Sequence, residues 1–287
     1  MVDRISLADL SILIAIRLDG DARKANLKTV LRYFTHFFTD LDIIVIESGG
    51  RFLEDFLSPF PDVTYHALEN ETSFHKTKYF NLGARLSERP YISCYDADVL
   101  FDPTSIQAAL DYLKSDPTHF FCFPYNGEFW DIQDPQKQLI CETFDFSRVP
   151  EVGTCIHPNS PGGATFFQKN AFLEMGGYNE TFISWGWEDD EIVLRFTKLG
   201  FPPARMPGIC VHMHHPRGPN SSDTHPHFQR NFHTYKTLFR KTPLELCHYI
   251  QTVLKAPVPE LVKPRAAQLE PLWLLKWVYK VAAFFRV

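Results

Sequence analysis

The interpretation of this sequence depends on Tyr91-Ile92-Ser93-Cys94-Tyr95-Asp96-Ala97-Asp98-Val99-Leu100-Phe101. Its first half is apolar and rich in β-branched and aromatic residues, which predicts a buried strand. Asp96 and Asp98 end this strand, and residues two apart in an extended chain project to the same side. Two buried carboxylates on one side repel each other and lose hydration. A divalent cation such as Mg²⁺ or Mn²⁺ would offset both costs, so we interpret the pair as a metal and diphosphate site. A solvated turn after a strand is the alternative.

The composition is that of an ordinary globular protein. The 287 residues can bury a full core as one large or two small domains. A net charge of −5 excludes the global basic surface of nucleic-acid-binding proteins. No apolar run reaches the length of about 18–20 residues that spans a membrane.

The cysteines and the first residues predict a cellular location. None of the six cysteines forms a C-x-x-C pair. Asp3 and Arg4 fall where the hydrophobic part of a signal peptide should begin. We therefore expect reduced thiols in a cytoplasmic protein.

Alternating patterns predict the fold class. Strand-like runs and helical periodicity alternate over the first hundred residues, with strands at 11–16, 42–47, 63–66 and 91–101 and helices at 22–38, 51–57 and 74–86. This alternation predicts a parallel sheet with helices on both faces. Ligands of such sheets bind at the carboxyl ends of the strands, where Asp96 and Asp98 lie. Residues 126–161 lack periodicity and contain four prolines, which is typical of a lid, a binding loop or disorder.

Two later motifs carry chemistry. The first is Trp185-Gly186-Trp187-Glu188-Asp189-Asp190-Glu191. One acid in a first helical turn suits the helix dipole, but four acids beside two tryptophans exceed what capping requires. The second is His212-Met213-His214-His215-Pro216-Arg217, which follows a strand predicted at 209–211. Histidine nitrogen is a good ligand for Mn²⁺ beside carboxylate oxygen, and side chains 212 and 214 share a side if the strand continues.

The last stretch, 271–287, carries Lys276, Lys280 and Arg286 without any acid among large apolar residues. Lys276 and Lys280 share one helix face. This pattern is typical of a helix that lies in a membrane interface. A helix that packs on the domain or on a second subunit is the alternative.

These motifs together resemble a known family. In order and spacing over about residues 10–240, the chain resembles the GT-A fold glycosyltransferases. It is most similar to the β-1,4-galactosyltransferases and to related bacterial enzymes that build surface polysaccharides. The matching pieces are Arg17-Leu18-Asp19, Arg23, Asn26-Leu27, Phe74-His75-Lys76-Thr77-Lys78, Asn81, Asp96-Ala97-Asp98, Gly162-Gly163 and the two motifs above.

The resemblance implies a fold and a domain division. We expect an α/β, Rossmann-like GT-A domain over residues 1–242, with a mostly parallel central sheet flanked by helices. A C-terminal helical extension is expected over 243–287, with the membrane-surface helix at 271–287 as one interpretation.

The resemblance also implies an activity. The expected enzyme is a metal-dependent inverting transferase that moves a hexose or N-acetylhexosamine from a UDP-sugar to a saccharide or lipid-linked saccharide. It would act in surface polysaccharide or glycan synthesis, with Mn²⁺ or Mg²⁺ as cofactor. Asp98 and His212 are the expected metal ligands, with His214 as the third and His215 as its runner-up. Asp96 would contact the donor ribose or the metal-bound water.

Further roles follow from the same resemblance. The nucleotide and its phosphates are expected at Arg17, Asp19, Arg23, Phe74, Lys76, Asp96 and Gly163. Asp189 is the expected general base. The sugars are expected at Trp185, Glu188 and Asp190.

The sequence departs from the family at three points. Ser160 stands where galactosyltransferases often have an aromatic residue, and its small size would admit an N-acetyl group, so the donor sugar stays open. Trp187 stands where animal relatives carry glycine. The N-terminal membrane anchor of Golgi members is lacking, so we expect a cytoplasmic enzyme, either free or peripheral at the inner face of the plasma membrane.

Two other functions remain open. One is a sugar-nucleotide-binding protein without catalysis. The other is a phosphatase that uses Asp96-Ala97-Asp98-Val99 as nucleophile and acid partner. That phosphatase site normally follows the first strand of its domain, whereas this pair follows the fourth predicted strand.

Overall fold

The computed structural model describes residues 4–218, 222–260, 262–263, 265–266 and 269. The strands are β1 (Ile5–Ser6), β2 (Leu10–Ile16), β3 (Phe38–Thr39), β4 (Ile43–Ser48), β5 (Val63–Leu68), β6 (Tyr91–Tyr95), β7 (Val99–Leu100), β8 (Phe121–Phe123), β9 (Phe129–Ile132), β10 (Thr154–His157), β11 (Ala164–Gln168), β12 (Ala204–Arg205) and β13 (Cys210–Met213). The helices are α1 (Asp21–Phe37), α2 (Glu54–Leu57), α3 (Lys76–Leu86), α4 (Pro103–Ser115), α5 (Gln136–Thr143), α6 (Val149–Val152), α7 (Lys169–Glu174), α8 (Glu188–Lys198), α9 (Pro226–Phe239) and α10 (Pro243–Thr252).

The central sheet confirms the predicted α/β class. Within the described residues it has seven strands in the order β12-β8-β11-β6-β2-β4-β5. The pairs among β2, β4, β5 and β6 are parallel, and their core-facing residues are the apolar ones that the sequence indicated. β11 runs antiparallel to both β6 and β8, so the sheet is mixed rather than purely parallel. Antiparallel neighbours need no helical crossover, and β11 returns beside β8 after an excursion that forms a second sheet.

The second sheet corrects the expectation of a structureless loop at 126–161. That segment contains β9, α5, α6 and β10, and the small sheet has the order β10-β9-β13-β7. Its strands are four residues or fewer, and β9 and β10 are partly exposed, so these two carry too little hydrophobic alternation to be recognised in the sequence. Its importance is its position, because β7 begins directly after Asp98.

Helix α1 connects the small sheet to the core. Its buried residues include Leu27, Val30, Leu31 and Phe34, as the helical periodicity predicted. The buried amide of Asn26 donates to the carbonyl oxygen of Met213 at 2.7 Å, which ties α1 to the end of β13.

A buried ion pair fixes α8. Arg195 is fully buried, and its Nε lies 2.8 Å from Glu191 Oε1. Its guanidinium also donates to the carbonyl oxygens of Met175 and Gly177 in the turn after α7. The N-terminus of α8, which carries the acidic motif, is thereby held beside the central sheet.

The chain after residue 242 begins with α10, which starts with a capping box between Thr242 and Glu245. Leu246 and Ile250 are buried, and the hydroxyl of Tyr249 accepts a hydrogen bond from Asn179 at 2.9 Å. The predicted membrane-surface helix at 271–287 lies outside the described residues. Among the described helices, none is both long and apolar enough to cross a bilayer.

Candidate functional site

Asp96 and Asp98 lie at the carboxyl end of β6, where the two sheets meet. The backbone N–H of Asp96 donates to the carbonyl oxygen of Gly163 at 2.8 Å. The carbonyl oxygen of Asp98 accepts from the backbone N–H of Met213, also at 2.8 Å. Gly163 has a φ of +87°, a conformation that glycine adopts without steric cost. These bonds hold the loop between β6 and β7, so both carboxylates have fixed positions.

Three side chains form a group that fits a divalent cation: Asp98, His212 and His215. Their ligand atoms all lie within 4.8 Å of one another. His215 Nε2 lies 3.0 Å from Asp98 Oδ2, and His212 Nε2 lies 4.0 Å from Asp98 Oδ1. Adjacent ligands of an octahedral ion with bonds of about 2.1 Å are about 3 Å apart, so little movement would complete such a site. The donor set of one carboxylate and two imidazoles suits Mn²⁺ better than Mg²⁺.

The structure brings His215, rather than His214, to Asp98. The side chain of His215 is 6% exposed, whereas that of His214 is 46% exposed. The expectation for His214 assumed that the strand continues, but β13 ends at Met213. His212 and His214 do share a side, but His214 lies against Asp131, and it is His215, in the chain after β13, that lies against Asp98.

The contact between Asp98 and His215 shifts the pKa values of both side chains. Burial alone would raise the pKa of Asp98, but the hydrogen bond from His215 and the charges of His212, His215 and Arg23 bring it well below its usual range. The hydrogen bond to Asp98 raises the pKa of His215. A proton therefore lies between His215 and Asp98 where a cation would otherwise bind.

Lys76, the first residue of α3, lies among three carboxylates. Its Nζ is 3.0 Å from Asp96 Oδ1, 3.3 Å from Asp189 Oδ2 and 3.8 Å from Glu188 Oε1. Burial would lower the pKa of Lys76, but the charges of Asp189, Asp96 and Glu188 raise it well above its usual value. Lys76 is therefore charged, and it connects the end of β6 to the start of α8.

Asp189 has a defined orientation. Its Oδ1 accepts a hydrogen bond from the Tyr178 hydroxyl at 3.0 Å, while Oδ2 faces Lys76. A Cβ added to Gly162 would lie 3.1 Å from Asp189 Oδ2, so this carboxylate packs closely on the glycine pair. The side chain is 16% exposed, which leaves part of it open to a ligand.

Glu188 and Asp190 differ from Asp189 in their surroundings. Glu188 is 3% exposed, and its Oε2 accepts from the backbone N–H of Gly186 at 2.8 Å. Burial and the charge of Asp189 raise the pKa of Glu188 to about 8. The same two causes raise the pKa of Asp190 to about 6. Near neutral pH Glu188 is therefore mostly protonated and able to donate a hydrogen bond.

The two tryptophans of the motif have separate environments. Trp185 is 37% exposed and stacks on Phe228, with ring centres 5.5 Å apart. The guanidinium of Arg217 lies 5.1 Å from the centre of the Trp185 ring. Trp187 instead packs against Phe232 of α9 at 4.6 Å. Trp185 is thus partly exposed between Phe228 and Arg217, while Trp187 attaches the motif to α9.

Of the remaining predicted residues, Arg23 lies near Asp98, whereas Arg17 and Phe74 contact backbone groups farther along the chain. Arg23 lies near the metal group, with Nη1 3.7 Å from Asp98 Oδ2 and Nε 2.6 Å from Asp19 Oδ1. Arg17, just after β2, donates from Nη1 to the carbonyl oxygen of Glu71 at 3.0 Å. Phe74 precedes α3, and its carbonyl oxygen accepts from the backbone N–H of Ser184 at 2.8 Å.

Two residues of the site were not identified from the sequence. Tyr178 orients Asp189, and Asp131 of β9 lies against two histidines. His212 Nδ1 donates to Asp131 Oδ1 at 2.7 Å, and His214 Nδ1 donates to Oδ2 at 3.0 Å. Burial would raise the pKa of Asp131, but these histidines lower it. Asp131 precedes His212 by 81 residues in a segment without a motif, so no local signal marks it.

Comparisons with known proteins show the family of this chain. The family model described as glycosyl transferase family 2 matches residues 12–172. The model described as the N-terminal domain of galactosyltransferase matches residues 156–216, which include the motif at 185–191 and all of the histidine motif except Arg217. The chain is 27% identical to β-1,4-galactosyltransferase 1 of Bos taurus over 191 residues, which are 66% of this chain and 42% of that protein. It is 30% identical to the Mus musculus protein over 172 residues, which are 58% and 37% of the two chains. The chain thus spans about two fifths of these relatives.

A solved structure shares the fold. The mannosyltransferase PcManGT from Pyrobaculum calidifontis, in complex with GDP-Man and Mn²⁺, superposes with a TM-score of 0.53 and 16% identity. The match covers 97% of this chain and 81% of that one. The GT-A fold prediction is thereby confirmed. Because the family model spans more than half of the sequence, the chain belongs to glycosyl transferase family 2.

Proposed function

We propose that this chain is a metal-dependent inverting glycosyltransferase that moves a hexose or N-acetylhexosamine from a UDP-sugar to a saccharide or lipid-linked saccharide. The observation that carries the proposal is the meeting of Asp98, His212 and His215 with Lys76 and Asp189 at one edge of the sheet. The galactosyltransferase match over residues 156–216 supports a UDP-sugar donor.

The metal would be Mn²⁺, with Mg²⁺ as the alternative, held by Asp98, His212 and His215. The PcManGT complex with Mn²⁺ is consistent with this assignment. When bound, the cation would neutralise charge on the diphosphate leaving group. Arg23, 3.7 Å from Asp98, would add positive charge on the same side.

The donor would lie along the carboxyl ends of β2 and β6. Arg17 and Phe74 would contact the nucleotide, and Asp96 would contact the ribose or metal-bound water. Lys76 would also contact the phosphates, although three carboxylates surround its ammonium group. Phosphate oxygens would compete with these carboxylates for its ammonium group.

Asp189 would accept the proton of the acceptor hydroxyl as it attacks the sugar carbon from the face opposite the diphosphate. Tyr178 and Lys76 hold the two oxygens of Asp189, so the carboxylate is oriented before the acceptor arrives. Trp185 would pack against a sugar ring with its exposed face. Protonated Glu188 would donate a hydrogen bond to a sugar oxygen, and Asp190 would accept one from a sugar hydroxyl.

We also propose a cellular role in surface polysaccharide or glycan synthesis. The motifs resemble bacterial enzymes of surface polysaccharide synthesis, which supports a cytoplasmic enzyme that meets a lipid-linked acceptor at the inner membrane face. The basic and aromatic composition of 271–287 supports a peripheral contact with that membrane.

A thermal-shift screen tests the donor. The chain is heated with UDP-Gal, UDP-GalNAc, UDP-GlcNAc, UDP-Glc, UDP-glucuronic acid or GDP-Man, each in Mn²⁺ and in EDTA. We expect at least one UDP-sugar to raise Tm in Mn²⁺ and none to do so in EDTA. Stabilisation by GDP-Man alone would contradict the UDP assignment, and equal shifts in EDTA would contradict the metal requirement.

A turnover assay separates the proposal from its alternatives. A sugar-nucleotide-binding protein without catalysis would bind the donor in Mn²⁺ but never transfer the sugar. A phosphatase would hydrolyse a simple aryl phosphate, and Asp189→Asn would leave that hydrolysis intact.

A further inference from the structure

Asp131 stands opposite His212 in the small sheet. β9 and β13 are parallel strands, and their register pairs Asp131 with His212 and Ile132 with Met213. Paired residues of neighbouring strands project from the same face of a sheet, so the Asp131 carboxylate lies beside the His212 ring. Asp131 is 8% exposed, so water has little access to replace it.

The carboxylate determines which nitrogen of His212 carries the proton. An ionised carboxylate only accepts hydrogen bonds, so the contact of 2.7 Å with Asp131 Oδ1 requires a proton on Nδ1. In a neutral imidazole the other nitrogen then has a free lone pair. That nitrogen, Nε2, faces Asp98 Oδ1 at 4.0 Å. The ring is thereby in the form that a metal ligand needs.

The second oxygen of Asp131 holds His214 away from Asp98. His214 Nδ1 donates to Asp131 Oδ2 at 3.0 Å. Two further hydrogen bonds hold the backbone of His214. Its N–H donates to the carbonyl oxygen of Ile132 at 3.0 Å, and its carbonyl oxygen accepts from Lys137 Nζ at 2.7 Å. The next residue, His215, is the one that reaches Asp98.

We infer that Asp131 is a positioning residue for the metal centre, which sets the tautomer of His212 and keeps His214 out of the ligand set. The inference rests on the proposed metal site of Asp98, His212 and His215. An asparagine at 131 has one carbonyl oxygen and one amide nitrogen, so it cannot accept from both histidines at once. In Asp131→Asn, one of the two rings must turn or change its tautomer.

Nitrogen NMR of metal-free protein with ¹⁵N-labelled histidine tests the tautomer directly. The chain has 12 histidines, and the spectrum of His212→Gln identifies the signals of His212. We expect the Nδ1–H form for His212 in the wild type. The Nε2–H form in the wild type would overturn the inference, and this measurement needs no Asp131 variant to fold.

Calorimetry with Mn²⁺ alone tests the consequence. Loss of a hydrogen bond behind a ligating histidine typically weakens metal binding about 10- to 100-fold, and we expect this range for Asp131→Asn. Asp131→Glu, which keeps two acceptor oxygens, should recover part of the affinity. Asp145→Asn, an exposed change in the same 126–161 segment, is the matched control and should bind Mn²⁺ like the wild type.

Asp98→Asn distinguishes a failure of the proposed metal site from a failure of the role of Asp131. If Asp98→Asn binds Mn²⁺ normally, the proposed metal site is wrong. If Asp98→Asn loses Mn²⁺ but Asp131→Asn stays within about threefold of the wild type, the metal site stands and the role of Asp131 is overturned.

Discussion

The acids Glu188, Asp189 and Asp190 look equivalent in the sequence but have three different environments. Glu188 is buried with a pKa of about 8, and Asp190 has a pKa of about 6. Asp189 is held by Tyr178 on one oxygen and Lys76 on the other. Different environments for neighbouring carboxylates allow different roles, and only Asp189 combines fixed orientation with partial exposure.

Asp189→Asn tests the base assignment. The amide keeps the size of the side chain but cannot accept the proton of an acceptor hydroxyl. We therefore expect unchanged donor binding and a transfer rate reduced about 10²- to 10⁴-fold. The measurement pairs calorimetry of donor binding with rates for the donor and acceptor that the wild type uses, and Asp145→Asn serves as control. Near-normal transfer by Asp189→Asn would show that the base lies elsewhere.

Glu188→Gln tests the raised pKa through stability. The pKa of Glu188 is about 8 in the folded chain against an ordinary value of 4.5. Between these values the folded chain keeps a proton that the unfolded chain releases, so this stabilisation is complete below the lower value and disappears as pH rises through the higher one. Glutamine does not titrate, so we expect the variant to lose less stability with rising pH, by up to about 1.4 kcal/mol per pH unit.

Urea unfolding at a series of pH values measures this difference. Glu174→Gln removes an exposed carboxylate at the end of α7 and is the control. Its stability should depend on pH as that of the wild type does. If Glu188→Gln and wild type show the same slope between about pH 5 and pH 8, Glu188 is ionised in the folded chain.

At the element scale, α8 depends on one buried ion pair. Arg195 and Glu191 are 0% and 1% exposed, and Arg195 also satisfies carbonyl oxygens of the turn after α7. Arg195→Met would leave Glu191 as a buried charge without its partner. We expect the free energy of unfolding to fall by about 3–5 kcal/mol in urea titrations.

The chain offers a matched control for this pair. Arg148 and Glu151 form an ion pair three residues apart, but they are 64% and 68% exposed. Arg148→Met should therefore change stability by no more than about 1 kcal/mol. Equal small losses for Arg148→Met and Arg195→Met would mean that the buried pair does not hold α8.

The elements also show where sequence reasoning succeeds. Strands β2 and β4 are largely apolar runs, and the apolar face of α1 repeats at helical spacing, so these are predicted to within a few residues. The single strand predicted at 91–101 instead divides into β6 and β7, which belong to different sheets. β9 was missed because its four residues have no alternation of their own. It becomes a strand through pairing with β13 and β10, which are distant in the sequence.

Some residues of the candidate site can be predicted from local motifs, and others cannot. Asp98, Asp189 and His212 stand in local motifs, so the sequence could indicate them. His215 rather than His214 meets Asp98 because His214 contacts Asp131 instead, and the place of Asp131 depends on the register of β9 with β13. Neither is a local property, and a single sequence contains no direct record of such pairing.

At the scale of the whole molecule, the candidate site joins the two sheets. The end of strand β6 in the central sheet places Asp96, and helices α3 and α8 place Lys76 and Asp189. The small sheet places His212 and Asp131. A cation on Asp98, His212 and His215 would connect both sheets. Metal binding should therefore raise the free energy of unfolding, and above Kd this increase should grow with the logarithm of the metal concentration.

The C-terminal stretch is tested by flotation of the full-length chain with liposomes. Lys276 and Lys280 would face anionic headgroups, and each is expected to contribute about 1 kcal/mol. We expect the wild type to float with anionic vesicles and Lys276→Glu/Lys280→Glu to float less, with neutral vesicles as control. Equal flotation of both proteins would argue against the membrane interpretation.

Calorimetry of UDP binding is the most direct test of the proposed metal-dependent donor site. It needs no knowledge of the sugar or the acceptor, and it compares wild type with Asp98→Ala in Mn²⁺ and in EDTA. We predict that the wild type binds UDP in Mn²⁺ but not in EDTA, and that Asp98→Ala loses the Mn²⁺-dependent binding. Unchanged UDP affinity in Asp98→Ala, or equal wild-type affinity in EDTA, would contradict the account.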